Sequence, residues 1–87
     1  MIIRSQDKKY ITNDMNLSIV LSLFVEPMCY EIRNSKWCIG VYSTEEKAIK
    51  VLDMIQDSYT KSFQKVQRLY GLEMYRVVFP MPSDEEV

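Results

Sequence analysis

The side chains best equipped for chemistry are two cysteines, Cys29 and Cys38, two carboxylate pairs, Glu45 with Glu46 and Asp53 with Asp57, and a scatter of arginines and tyrosines. There is no histidine. That removes the usual general base and the commonest metal ligand, so a Ser-His-Asp arrangement is excluded and a four-ligand zinc site has only two thiols to start from. The cysteines therefore read as small buried hydrophobes, and the carboxylates as the solvated face of a helix with lysines beside them. Gly40 and Gly71 are the two glycines, and no Gly-rich phosphate loop can be built from them. What remains is binding chemistry. Guanidinium groups grip phosphate through paired donors, and tyrosine rings stack on bases. On that logic Arg4, Arg33, Arg68 and Arg76, with Tyr42 and Tyr75, form the candidate ligand-binding set. No metal, cofactor or catalytic residue is expected, and the chain reads as a non-enzyme.

The elements that must position these residues follow from hydrophobic periodicity. Ile2 to Arg4 predicts a short strand, Gln6 to Lys9 a polar turn, and Tyr10 to Thr12 a second extended piece. Leu17, Ile19, Leu21, Leu23 and Val25 alternate with Ser18, Val20, Ser22 and Phe24, a period of two that predicts a strand ended by Pro27. Two further strands form a hairpin if Asn34-Ser35 is a two-residue turn. Ile32 then faces Trp37, Tyr30 faces Ile39 and Met28 faces Val41, with Glu31 opposite Cys38 and Cys29 opposite Gly40. That register makes the cysteines diagonal neighbours.

Ser43-Thr44-Glu45-Glu46 matches a capping box and starts a helix. Ala48, Leu52, Ile55, Tyr59, Phe63, Val66 and Tyr70 give it an apolar stripe, and Glu46–Lys50 and Asp57–Lys61 are acid-before-base pairs one turn apart. Gly71 stops it, and Tyr75, Val77, Phe79 and Met81 make a last strand closed by Pro80 and Pro82.

The expected fold is α+β: a small antiparallel sheet of four or five strands with one long helix packed on one face, the helix inserted before the last strand. Residues 1–82 form the domain and residues 83–87 a solvated acidic tail. One helix covers one sheet face, leaving Val20, Phe24, Val78, Cys29, Cys38 and Tyr42 on the other. A helix from 44 to 70 is about 40 Å long against about 20 Å for a six-residue strand, so its distal half outruns the sheet. Phe63, Val66, Leu69 and Tyr70 are then the expected interface of a homodimer or higher oligomer, the alternative being a helix that breaks between Ser58 and Ser62 and folds back.

Eighty-seven residues, 47% hydrophobic, allow one small domain. Eleven basic and 12 acidic groups nearly cancel, and removing Asp84, Glu85 and Glu86 leaves a mildly basic body. This balance argues against a dedicated nucleic-acid binder. The longest apolar stretch, Ile19 to Val25, is too short to cross a bilayer, which takes about 20 residues, and the start lacks a signal peptide's apolar region. A cytoplasmic protein without a membrane role is expected, with its cysteines reduced.

Three stretches carry a resemblance: the opening Met1-Ile2-Ile3-Arg4-Ser5-Gln6-Asp7-Lys8, the helix start Tyr42-Ser43-Thr44-Glu45-Glu46-Lys47-Ala48 with Val51, Leu52 and Ile55, and the ending Val78-Phe79-Pro80-Met81-Pro82-Ser83-Asp84-Glu85-Glu86-Val87. In these the chain resembles a family of short proteins of Gram-positive bacteria, their phages and mobile elements. The resemblance implies context and no catalytic residue. Small motif-free proteins in that setting act by binding, so the function expected is counter-defence by a homo-oligomer that sequesters a small signalling nucleotide. The alternative is an inhibitor or adaptor that blocks a host defence protein, using the acidic tail and the open sheet face.

Overall fold

The computed structural model describes residues 1–22, 27–68 and 78–87, with the side chains of α1 described as far as Lys61. The strands are β1 (Ile2–Arg4), β2 (Ile11–Thr12), β3 (Ser18–Ser22), β4 (Cys29–Arg33), β5 (Cys38–Tyr42) and β6 (Val78–Pro80), with α1 (Glu45–Arg68) between β5 and β6. The α+β class and the helix before the last strand are as expected. The single antiparallel sheet is not: the strands divide into two sheets of three, ordered β2-β1-β6 and β3-β4-β5. In the first, β1 runs antiparallel to β2 but parallel to β6, with Ile3 opposite both Thr12 and Phe79. A parallel partner needs a long crossover, and α1 lies in the connection that leads to β6. The second sheet is antiparallel throughout.

The β4–β5 register also differs from expectation, with Tyr30 opposite Tyr42, Glu31 opposite Val41 and Ile32 opposite Gly40. The cause is Asn34. Its side-chain oxygen accepts from the N–H groups of Lys36 at 2.9 Å and Trp37 at 2.7 Å, while its own N–H donates to the Trp37 carbonyl at 2.9 Å. This makes a loop of Asn34 to Trp37 in place of a two-residue turn. Trp37 thereby leaves the sheet and packs on Tyr10, with ring centroids 5.8 Å apart. The slip carries Tyr42 into the core rather than onto the open face, where Val41 takes its place beside Val20 and Glu31.

The core joins Met1, Ile3, Ile32, Ile39, Tyr42, Ala48, Val51, Ile55 and Met81. Each fully buried aliphatic side chain contributes about 1.5–3 kcal/mol of transfer free energy. Residues of both sheets and of α1 share this cluster, so neither sheet is a separate folding unit. The helix is continuous through Arg68, past Ser58 to Ser62. Its burial fades along the axis: Ala48, Val51 and Ile55 are buried, whereas Tyr59, Thr60 and Lys61 are exposed. Its N-cap is Thr44, whose hydroxyl accepts from Lys47 N–H at 3.1 Å, and not Ser43. Of the two expected ion pairs along the helix, Asp57–Lys61 closes at 2.9 Å.

Candidate functional site

The six residues expected to bind a ligand do not converge where they are described. Arg4 lies on β1, exposed, its guanidinium donating to the Lys8 carbonyl at 3.2 Å. Arg33 ends β4 in the other sheet and pairs with Glu31 at 3.3 Å. Tyr42 is fully buried, and its hydroxyl donates to the Pro82 carbonyl at 2.7 Å. Burial and the carboxylates of Asp84 and Glu86 raise its phenol pKa, so it keeps its proton and serves the core. Arg68 is the last helical residue, with its side chain outside the description, and Tyr75 and Arg76 lie outside the described residues. The expected interface fares likewise: Phe63 and Val66 lie on α1 with their side chains undescribed, and Leu69 and Tyr70 fall outside the described residues, as do Phe24 and Gly71.

Cys29 and Cys38 are both free thiols. Cys29 stands opposite Ser22 and Cys38 opposite Arg33, so the row of Val20, Glu31 and Val41 separates them and they are not diagonal neighbours. Burial, with the Glu31 carboxylate next, pushes the Cys38 thiol up to about 11. It is protonated at neutral pH and a poor nucleophile. Among the described residues no three His, Cys, Asp or Glu side chains gather as a metal site.

Two polar clusters escaped the sequence reading. The first is the Gln6 side chain at the seam between the sheets. Its Oε1 accepts from Val41 N–H at 2.8 Å, its Nε2 donates to the carbonyls of Val41 and Pro82 at 3.1 Å each, and its backbone N–H donates to the Ile39 carbonyl at 2.8 Å. A side-chain amide here substitutes for a paired strand along the outer edge of β5. The second is Asp84. Instead of belonging to a free tail, its carboxylate accepts from the Ser43 N–H at 2.7 Å, the Ser43 hydroxyl at 3.0 Å and Lys47 Nζ at 3.4 Å. These contacts hold Asp84 below the usual carboxylate range, the Ser43 backbone bond contributing most. Asp84–Glu86 forms a 3-10 turn, closed by Ser83 N–H donating to the Glu86 carboxylate at 3.0 Å, and Val87 packs against the core. The local sign of this turn was the Ser83-to-Glu86 spacing, another capping-box pattern.

Shape points to the flank of α1. There the segment before β3 leaves an open groove of about 270 Å³ lined by Met15, Leu17, Leu52, Ile55, Gln56 and Tyr59. Five of the six are apolar or aromatic, and Tyr59, on the rim, is 39% exposed. Leu17, Leu52, Ile55 and Tyr59 belong to the expected apolar positions, but Met15 became visible as a lining residue only once the chain had folded back along the helix. A larger depression of about 530 Å³ at the start of α1 carries charges of both signs, Glu46, Lys47, Lys50 and Asp53. Self-cancelling charge of that kind selects no strongly charged ligand. No described helix is long and apolar enough to cross a membrane. Comparison of the chain with protein-family models, curated proteins and solved structures found no match.

Proposed function

We propose that the protein works by non-covalent binding of a protein partner, with the apolar groove beside α1 as the contact and, in the setting the sequence resemblance implies, a host defence protein as the target. The observation that carries this reading is the lining of that groove by Met15, Leu17, Leu52, Ile55 and Tyr59. A shallow apolar trough with an aromatic rim suits the apolar stripe of a helix or loop, which supplies affinity through buried area and flexible methionine packing. A nucleotide asks for clustered cationic donors. Of the arginines expected to supply them, Arg33 is paired with Glu31 and Arg4 lies in the other sheet, while Tyr42, expected to stack on a base, is buried in the core.

The test is native mass spectrometry of the protein produced in a Gram-positive host, before and after mild denaturation, for the wild type and Tyr59→Glu. The expected result is a stoichiometric polypeptide partner on the wild type that is lost from the variant. A bound species of nucleotide mass and absorbance would overturn the reading in favour of nucleotide sequestration. A partner retained by Tyr59→Glu would remove the groove as the contact.

A further inference from the structure

The strand β3 is the outer member of its sheet, paired with β4 on one side and with no described residue on the other. Exposed strand edges template further pairing, and proteins usually blunt them with lysine, proline, a bulge or a covering element. The opposite edge of this sheet is blunted, because Gln6 occupies the backbone groups of Val41 on β5. Among the described residues the irregularity in the sheet falls at Ile32/Arg33, on the β4–β5 side. Among the described residues none of these devices touches β3. Its sequence, Ser18-Ile19-Val20-Leu21-Ser22, contains no charge, no proline and no glycine, and it pairs with β4 without interruption.

The exposure along this edge is also apolar on both faces. Val20, on the face away from α1, is 41% exposed, and Leu21, on the α1 side next to Tyr30, is 40% exposed. A partner that covered only one face would leave the other wet. A strand added in plane would cover both.

The order of residues specifies which strand. Ser18-Ile19-Val20-Leu21-Ser22 reads nearly the same in both directions. An antiparallel copy centred on Val20 sets Val20 against Val20, Ile19 against Leu21 and Ser18 against Ser22, each pair matched in size and polarity. Cross-strand pairs of β-branched and aliphatic residues are the favourable kind, and a twofold axis requires such self-complementarity. We infer that the protein forms a homodimer through antiparallel pairing of β3 with β3 of a second copy, in the register that places Val20 on the twofold axis. The two sheets become one continuous sheet of six strands, ordered β5-β4-β3-β3-β4-β5. This inference is independent of the groove beside α1, which lies on other residues.

The experiment is sedimentation equilibrium on the full chain, between about 1 and about 100 µM, for the wild type, Val20→Lys, Val20→Glu and an equimolar mixture of the two variants. The wild type is expected to be dimeric in this range. Each variant alone, with two like charges facing across the axis, is expected to dissociate at least about tenfold more readily. The mixture is expected to recover the dimer, because Lys and Glu then face each other. Circular dichroism monitors the fold of each variant. If Val20→Glu, which lies opposite Glu31, fails to fold, amide hydrogen exchange of the wild type decides: the outward N–H groups of β3 are expected to gain protection as concentration rises. A monomer throughout, a dimer indifferent to Val20→Lys, or exchange in β3 independent of concentration would overturn the proposal. Variants that both dissociate but fail to recover on mixing would overturn the register. Tyr59→Glu should leave the dimer intact, which separates this test from that of the groove.

Discussion

Replacing Gln6 probes the seam that makes one protein of two small sheets. The amide makes three side-chain hydrogen bonds, from Val41 N–H and to the carbonyls of Val41 and Pro82. Gln6→Met keeps the length and apolar bulk but deletes all three. Pro82 keeps one donor, the Tyr42 hydroxyl, whereas Val41 loses its partners at an edge that water reaches. At the lower end of the net value per hydrogen bond, about 0.5 kcal/mol each, this amounts to about 1.5 kcal/mol. For a domain of this size the midpoint of thermal unfolding should fall by about 6–12 °C. Gln6→Glu separates acceptor from donor. The carboxylate still accepts from Val41 N–H, but its second oxygen confronts two carbonyls, so the ionised form is disfavoured in the folded state. The folded pKa of that glutamate is therefore raised above an unfolded value of about 4.3, and the repulsive penalty is absent below that pH and complete above the folded pKa. At pH 7 Gln6→Glu should be less stable than Gln6→Met by at least about 1 kcal/mol, and the order should reverse near pH 4, where the protonated acid donates again. Urea unfolding followed by circular dichroism at the two pH values, each variant referred to the wild type, measures both effects. A Gln6→Met variant within about 0.5 kcal/mol of the wild type, as expected for an unremarkable surface position, would refute the seam, and a pH-independent difference for Gln6→Glu would refute the assigned geometry.

Two further outcomes follow from the same region. At Gly40 an added Cβ would stand 2.9 Å from the Met81 terminal methyl and 3.0 Å from the Tyr42 ring. The methyl can swing aside, but the ring is buried and its hydroxyl is held on Pro82, so Gly40→Ala should lose about 1–2 kcal/mol in thermal unfolding despite the lower entropy of the unfolded chain. Asp84 should link the C-terminal turn to α1 in a pH-dependent way. Its folded pKa is depressed from 3.8, so its contribution is present above that pH and disappears as pH falls through the folded value. Asp84→Asn should lower the unfolding midpoint at pH 7, and the difference from the wild type should shrink as the pH falls below 3.8; a difference of constant size would show that its carboxylate charge plays no part.

Much of the scaffold was legible from short-range pattern. The β3 and β4 segments, the helix from Glu45 and the apolar stripe of Ala48 and Ile55 follow from periods of two and between three and four, which a local window records. The hairpin register was not legible, although Asn34 stood in plain view. A two-residue turn and an Asn-anchored loop use the same residue, and the choice between them moved Tyr42 from the open face to the core. The helix cap slipped by one residue for a related reason: Ser43 and Thr44 are both capping types, and Asp84, far along the chain, engages Ser43.

By itself the sequence determined the class, the order of the described elements, the long helix that starts after β5, and the absence of histidine-based chemistry, because composition and periodicity are properties of the chain alone. Only the tertiary structure decided that the strands divide into two sheets, that β6 joins β1 in parallel, that Gln6 stitches the seam and that the acidic end is bound to the start of α1. The last three of these depend on pairings between residues more than 30 positions apart, such as Ile2 with Val78, Gln6 with Val41 or Ser43 with Asp84. Their energy is a hydrogen bond or an ion contact that exists only once the core of Ile3, Ile32 and Val51 has brought the segments together. The same division separates the expected arginine and tyrosine site from the groove and the strand edge: residue type offers a chemistry, while burial and register decide whether it faces a partner.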